Sequence, residues 1–270
     1  MDLTRKALDK ARRQGGSAAG KDDRAPPSAR PGEGLSDGRP HTRVIKTSPL
    51  ALRENRIVAG LTNDATADIF RMLRTQVMRC LAKENHSTLA VCSAHPGEGK
   101  TLVAVNLAIS LAMDAKHTVL LVDLDLRRPG VHTYFGIEPE LGLTDYMRGR
   151  AALSDCLIST GYDSLVILPT HMPVGYSSEF LSLPRVDSLA QELKDRYPDR
   201  IVIYDLAPLL LTDDYLVFMH NVDACLLIVE EGTTKKDDIE RAVELLKDSN
   251  LIGTVLNKSA QKTFSGYYYR

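Results

Sequence analysis

The segment Ala94-His95-Pro96-Gly97-Glu98-Gly99-Lys100-Thr101 constrains the fold more tightly than any other part of the chain. It follows an apolar run, Leu89–Cys92, and opens a helical one, Thr101–Ala112. Gly97 and Gly99 let the backbone approach a ligand closely and turn its N–H groups toward it, while the following helix adds the positive end of its dipole. Lys100 and Thr101 then offer an ammonium to phosphate oxygens and a hydroxyl to Mg²⁺. Ala94 stands where such loops usually carry their first glycine, a tolerated variant. A loop of this kind belongs between a buried strand and a helix, which points to an open α/β sheet.

The rest of the chain agrees. Strand-like runs are Leu89–Cys92, Val119–Val122, Leu165–Leu168, Ile201–Tyr204, Ala224–Val229 and Gly253–Leu256. Helix-like runs fall between them, at Thr101–Ala112, Leu141–Arg148, Arg185–Arg196, Asp214–His220 and Lys235–Ser249. This alternation predicts a doubly wound, mostly parallel sheet flanked by helices, the P-loop NTPase class. Ahead of it, Ile69, Met72, Leu73, Val77, Met78 and Leu81 recur at helical steps, with Thr62-Asn63-Asp64 as capping candidates.

Residues 1–50 read differently. Leu3–Arg13 has a short helical stripe, and Gly15–Ser48 is rich in Gly, Pro, Ser and charge. Such a stretch buries too little apolar surface to offset the entropy of ordering. The expected organisation is a short helix with a disordered basic linker over 1–50, a nucleotide domain over 51–258, and a flexible tail over 259–270 ending in Tyr267-Tyr268-Tyr269-Arg270.

Charge and cysteine usage exclude several functions. The chain has 34 Lys and Arg against 35 Asp and Glu, and eleven of the basic residues lie within the first fifty positions. That local excess suits an anionic surface or an acidic partner and is too thin for nucleic-acid binding. Cys80, Cys92, Cys156 and Cys225 are widely spaced, with no CxxC pair, which argues against zinc or a disulfide framework. No apolar run approaches the ~18–20 residues of a membrane span. Met1–Gln14 mixes acid and base without the apolar core of a secretory signal, so a cytoplasmic location is expected.

Two acidic elements close predicted strands. One is Val119–Val122 running into Asp123-Leu124-Asp125-Leu126-Arg127-Arg128-Pro129; the other is Ile201–Tyr204 running into Asp205-Leu206-Ala207-Pro208. Ligands of open α/β sheets bind at the carboxyl ends of strands. Magnesium needs one or two carboxylates besides phosphate and water, so two such strands leave a carboxylate over. Thr101, Asp123 and Asp205 are the candidate metal ligands, and Asp123 or Asp125 the candidate base. Arg127 and Arg128 are placed to clamp phosphate or to hold a subunit contact.

Taken together, the chain over about 50–270 resembles the bacterial tyrosine kinases, P-loop autokinases of exopolysaccharide and capsule export. The resemblance rests on Pro96–Thr101, the Asp123–Pro129 segment, the second Asp strand and the terminal tyrosines, all in the family's order. It implies an ATP- and Mg²⁺-dependent protein-tyrosine kinase with Asp123 as base for the tyrosine hydroxyl. Tyr267, Tyr268 and Tyr269 would be the phosphoacceptors. It further implies Pro96, Gly97, Glu98, Gly99, Lys100 and Thr101 around the phosphates, and Asn257, at the end of the last predicted strand, resembles the base-contacting Asn of related nucleotide folds. The family's ring-forming Glu-x-x-Arg-x-x-Arg motif appears as Asp68, Arg71 and Arg74, with Asp one methylene shorter. Relatives commonly carry Asp-x-Pro-Pro where this chain has Ala207 before Pro208. The opening helix and Tyr197-Pro198-Asp199-Arg200 look most like the subgroup found with exosortase-type loci. By resemblance, partners are further copies of the chain and a separate membrane polysaccharide co-polymerase that recruits it to the inner face of the membrane.

A tyrosine phenol has a pKa near 10 and needs a proton acceptor to attack. From Lys258 to Tyr267 the tail spans at most roughly 30 Å, a reach suited to a neighbouring subunit's site. Two other readings stay open. Partitioning or division-placing ATPases share the sheet, both Asp strands and the Asn, but usually carry an early second Lys where this chain has His95. The third reading is an ATP-binding scaffold of the polysaccharide machine.

Overall fold

A computed structural model describes residues 43–45, 47, 49–61, 64–114, 116–197 and 199–260. The Leu3–Arg13 stripe, most of the basic linker and Tyr267–Tyr269 lie outside the described residues.

The elements run in the order β1 (Arg43–Val44), α1 (Pro49–Glu54), α2 (Ala65–Lys83), β2 (Thr88–Ser93), α3 (Lys100–Ala112), β3 (Thr118–Leu124), α4 (Val131–Tyr134), α5 (Leu143–Met147) and α6 (Leu153–Cys156). There follow β4 (Ile158–Ser159), β5 (Leu165–Leu168), α7 (Ser177–Leu181), α8 (Pro184–Asp195), β6 (Arg200–Leu206), α9 (Asp214–Phe218), β7 (Ala224–Glu230), α10 (Lys236–Leu245) and β8 (Leu251–Asn257). A 3₁₀ turn, Met219–Asn221, extends α9.

Among the described residues eight strands form one sheet in the order β1-β4-β5-β3-β6-β2-β7-β8, parallel except for the β4–β5 pair. Period-two alternation splits the strand residues between two cores. Leu89, Val91, Leu121, Ile203 and Ile228 face the layer of α2 and α3, where α3 is buried almost all round. Ala90, Cys92, Val122, Tyr204 and Leu227 face the layer of α8 and α9. Cys92, Cys156 and Cys225 are buried and Cys80 is half-buried; all four are free thiols.

All six expected strands and the long helices are present. Helix α2 starts one residue after Asp64, whose carboxylate caps it by accepting from the Thr66 and Ala67 N–H groups. Sheet pairing begins earlier than the boundary expected at 50. Arg43–Val44 pairs with β4, and the Ile45 N–H donates to Ser159 O at 2.9 Å. Two-residue strands are too short to show a period, which is why β1 and β4 are invisible as sequence patterns.

Strand order matters most for the site. Because β6 lies between β3 and β2, the tips of β3 and β6 and the loop after β2 are next to one another.

Candidate active site

The loop between β2 and α3 takes its shape from two glycines in the left-handed region, Gly97 at φ +86° and Gly99 at φ +92°. A side chain at Gly99 would also collide with the amide of Asn257. Residues from the neighbouring β7–β8 end brace the loop. The buried Glu98 carboxylate accepts from the His95 N–H at 3.0 Å and the Thr234 hydroxyl at 2.6 Å. Asn257 Nδ2 donates to Glu98 O at 2.8 Å, and Lys258 Nζ donates to Gly97 O at 2.7 Å. His95 pairs with Asp238 at 3.1 Å. Glu98 and Asn257 thus hold the loop's backbone from behind, and the Asn257 amide expected near a nucleotide base is committed to the loop here.

Lys100 opens α3 and points across the strand tips. Its Nζ lies 2.8 Å from Asp125 Oδ2, 3.4 Å from Asp205 Oδ1 and 3.2 Å from Thr101 Oγ1. The Thr101 hydroxyl donates to Asp205 Oδ2 at 2.6 Å. Asp123 and Asp205 are direct partners in the β3–β6 ladder. The two Asp residues of β3's tip are nonetheless in different places. Asp125 lines the cleft beside Lys100. The Asp123 carboxylate is fully buried, accepting from the Gly130 and Val131 N–H groups, each at 2.9 Å, and from the Asp125 N–H at 3.3 Å.

This cleft, of about 400 Å³, is bounded by Pro96, Gly97, Gly99, Lys100 and Thr101 on one side. Asp125, Arg127, Arg128 and Tyr134 form a second wall, and Ala207, Pro208, Leu211 and Thr212 a third. The loop after β6 is tied back onto β2, with Leu209 N–H donating to Ser93 O at 2.8 Å.

The Lys100 ammonium sits among three acidic side chains, Asp123, Asp125 and Asp205, and Arg127 and Arg128 also line the cleft. Burial lowers the Lys100 pKa, but Asp205 and Asp125 more than offset it and keep the ammonium charged. Burial pushes the Asp123 carboxyl well above the usual range, and Asp205 pushes it further, against the pull of the Val131 N–H, Lys100 and the Gly130 N–H. Asp205 is likewise raised by burial, less so because Lys100 and the Thr101 hydroxyl favour its charged form.

A carboxyl whose folded pKa is raised binds its proton more tightly when folded, so its contribution is present in acid and lost as pH climbs past the raised value. Asp187 and Asp223, held low by Asn221 and by Lys194 with the Ser87 and Thr88 N–H groups respectively, contribute fully above about pH 5 and add no slope there. Metal-free protein should therefore melt at a lower temperature at pH 8 than at pH 5.5, and Asp123→Asn should flatten that difference. Dye-monitored melting at the two pH values checks it; an unchanged slope in the variant removes Asp123 as its source.

Similarity to known proteins follows the same site. The CobQ/CobB/MinD/ParA nucleotide binding domain family matches residues 89–265. Tyrosine-protein kinase YwqD of Bacillus subtilis (strain 168) is 30% identical over 231 residues, covering 81% of this chain and 96% of YwqD. The chain belongs to the bacterial tyrosine kinases. Solved structures agree. The kinase domain of Escherichia coli tyrosine kinase ETK matches with a TM-score of 0.68 and 26% identity, over 84% of this chain and 94% of that one. The chimerical protein CapA2B2 matches with a TM-score of 0.72 and 25% identity, over 82% and 94%. The Pyrococcus furiosus cell division ATPase MinD, at 24% identity and a TM-score of 0.56, shares the fold.

In this bacterial tyrosine kinase the residues expected to mediate assembly lie on α2. Asp68 pairs with Arg71 one turn on, and Arg74 Nη1 donates to Ser110 O at 2.8 Å on α3. These bonds are all within one chain. Among the described residues no helix is long and apolar enough to cross a membrane.

Some residues of the kinase site carry no readable signal in the sequence. Tyr134 and Thr212 reach the cleft from segments without a motif. Thr234 and Lys258 brace the phosphate loop from more than 130 positions away. Only the order of strands in the sheet brings them there.

Proposed function

We propose that this kinase transfers the γ-phosphoryl group of ATP to the tyrosines of its own tail, Tyr267, Tyr268 and Tyr269, between copies of the chain. The observation that carries this reading is the convergence of Lys100, Thr101 and Asp125 on one open cleft, with the buried Asp205 bonded to Lys100 and Thr101 at the neighbouring strand tip. Lys100 and the loop N–H groups bind the phosphates. Thr101 Oγ1 and Asp205 are hard oxygen donors already 2.6 Å apart, a donor set that fits Mg²⁺. Among the described residues no group of three or more His, Cys, Asp or Glu side chains could hold a metal by itself, which suits an ion that takes other ligands from phosphate and water. When bound, Mg²⁺ supplies charge neutralisation at the phosphates.

The phenol oxygen attacks the γ-phosphorus, the bond from that phosphorus to the β–γ bridging oxygen breaks, and ADP leaves. The phenol proton goes to Asp123, the acid that closes β3 beside Asp205. Asp125 serves first as counter-ion to Lys100. Asp68, Arg71 and Arg74 form the contact between copies.

The relatives' names support the pathway. They include Putative tyrosine-protein kinase CapB of Staphylococcus aureus, 28% identical over 202 residues, and Succinoglycan biosynthesis transport protein ExoP of Rhizobium meliloti (strain 1021). The chain spans 29% of ExoP. A membrane polysaccharide co-polymerase as activating partner, and recruitment by it to the inner face of the membrane, belong to this proposal.

Incubating the full chain with Mg²⁺ and γ-labelled ATP tests the reading. Label on tyrosine that is mostly lost when Tyr267, Tyr268 and Tyr269 are all changed to Phe supports it. ATP hydrolysis without labelled protein would instead favour a partitioning-type ATPase, and nucleotide binding alone a scaffold.

A further inference from the structure

Arg127 lines the cleft two residues beyond Asp125, and its guanidinium is held from behind. Arg127 Nε donates to Ser177 Oγ at 2.8 Å, and the Ser177 hydroxyl donates to Asp214 Oδ1 at 2.7 Å. The direction of this chain is fixed by chemistry. A guanidinium only donates, so the Ser177 hydroxyl gives its lone pair to Arg127 and has its proton left for Asp214 Oδ1. Ser177 and Asp214 are both fully buried, although Arg127 itself is exposed. They come from the first turns of α7 and α9, some fifty and ninety residues beyond Arg127, so nothing local requires them to meet. Asp214 Oδ2 is buried without a hydrogen-bond partner. A buried carboxylate oxygen left bare is costly, so its retention here calls for a function.

With Nε committed to Ser177, the two terminal nitrogens of Arg127 remain for a ligand in the cleft. They form a planar pair of donors matched to phosphate oxygens. We propose that Ser177 and Asp214 are positioning residues that hold Arg127 as the second cation on the transferred phosphoryl group, opposite Lys100. This rests on the phosphoryl-transfer reading above. It assigns work to two residues that no motif marks. The relay fixes the guanidinium in advance, so little rotamer freedom is lost when charge develops on the phosphoryl oxygens.

The test is a double-mutant cycle on the full chain with Mg²⁺ and γ-labelled ATP. Ser177→Ala and Asp214→Asn should each lower kcat about 10-fold while KM for ATP stays within about twofold, the pattern of a lost transition-state contact. Ser177→Thr keeps the hydroxyl and should recover most of the rate. In an Arg127→Gln background, Ser177→Ala should add less than about twofold, because its effect passes through the arginine. Overturning results are a Ser177→Ala loss as large in that background as in the wild type, a Ser177→Thr variant as slow as Ser177→Ala, or an unchanged Ser177→Ala. Wild-type protein that hydrolyses ATP without labelling tyrosine refutes the kinase assignment alone; the same cycle read on hydrolysis then decides the relay.

Discussion

Changing Lys100 to methionine should lower tyrosine phosphorylation at least about 10³-fold while the sheet stays intact. The rate loss follows from removing the ammonium that reaches both acidic strand tips from the start of α3. The stability effect is less simple than a surface substitution. Lys100 is buried, and it is the counter-ion of Asp125 and Asp205 before nucleotide binds. Breaking a buried pair from one side costs at most about 3–5 kcal/mol, and here the carboxylates have an outlet, because Asp205 is already biased toward its protonated form by burial. The variant should therefore melt several degrees lower at pH 8 and recover part of that loss at pH 5.5, with unchanged far-ultraviolet dichroism. Undiminished labelling by a folded Lys100→Met protein would refute the site.

The second large effect separates the two aspartates of β3's tip. Asp123→Asn should reduce phosphoryl transfer about 10²–10⁴-fold, the usual contribution of a general base, with ATP affinity within about threefold. Its structural cost should be small. An amide at 123 loses one acceptor among the Gly130, Val131 and Asp125 N–H groups but no longer repels Asp205 across the ladder. Asp125→Asn should instead act mainly by freeing Lys100 before nucleotide binds, with a loss nearer 10-fold. Single-turnover rates combined with nucleotide titration distinguish them. If Asp125→Asn proves the slower enzyme at unchanged affinity, Asp125 is the proton acceptor and Asp123 a brace for the turn into α4. The enclosed position of Asp123 makes this comparison sharp: its Oδ2 is committed to the Gly130 and Val131 N–H groups, which leaves Oδ1, with its longer bond from the Asp125 N–H, to take a phenol proton.

Much of the architecture was legible because it depends on local patterns. Apolar strand runs ending in Asp, a glycine pair with Lys-Thr, and helical spacing in α2 and α3 each express themselves within about ten residues. Asp64 is the cap that its position before α2 suggested. The short elements β1, β4, α4, α6 and α7 were not legible, since two to five residues carry no measurable period. Within the site, the sequence pointed to Lys100, Thr101, Asp123, Asp125 and Asp205 by motif. It could not separate an Asp125 that faces the cleft from an Asp123 closed behind backbone N–H groups.

By itself, then, the sequence determined the sheet class, the phosphate loop and the acids available to it, because each is written in neighbouring residues. Tertiary structure decided the rest. Placing β6 between β3 and β2 set Asp205 against both Lys100 and Asp123, and the return of β8 beside β7 brought Asn257 and Lys258 under the loop. Which strands become neighbours is a matter of how two buried layers pack on a twisted sheet, a property of the whole chain that no short segment holds.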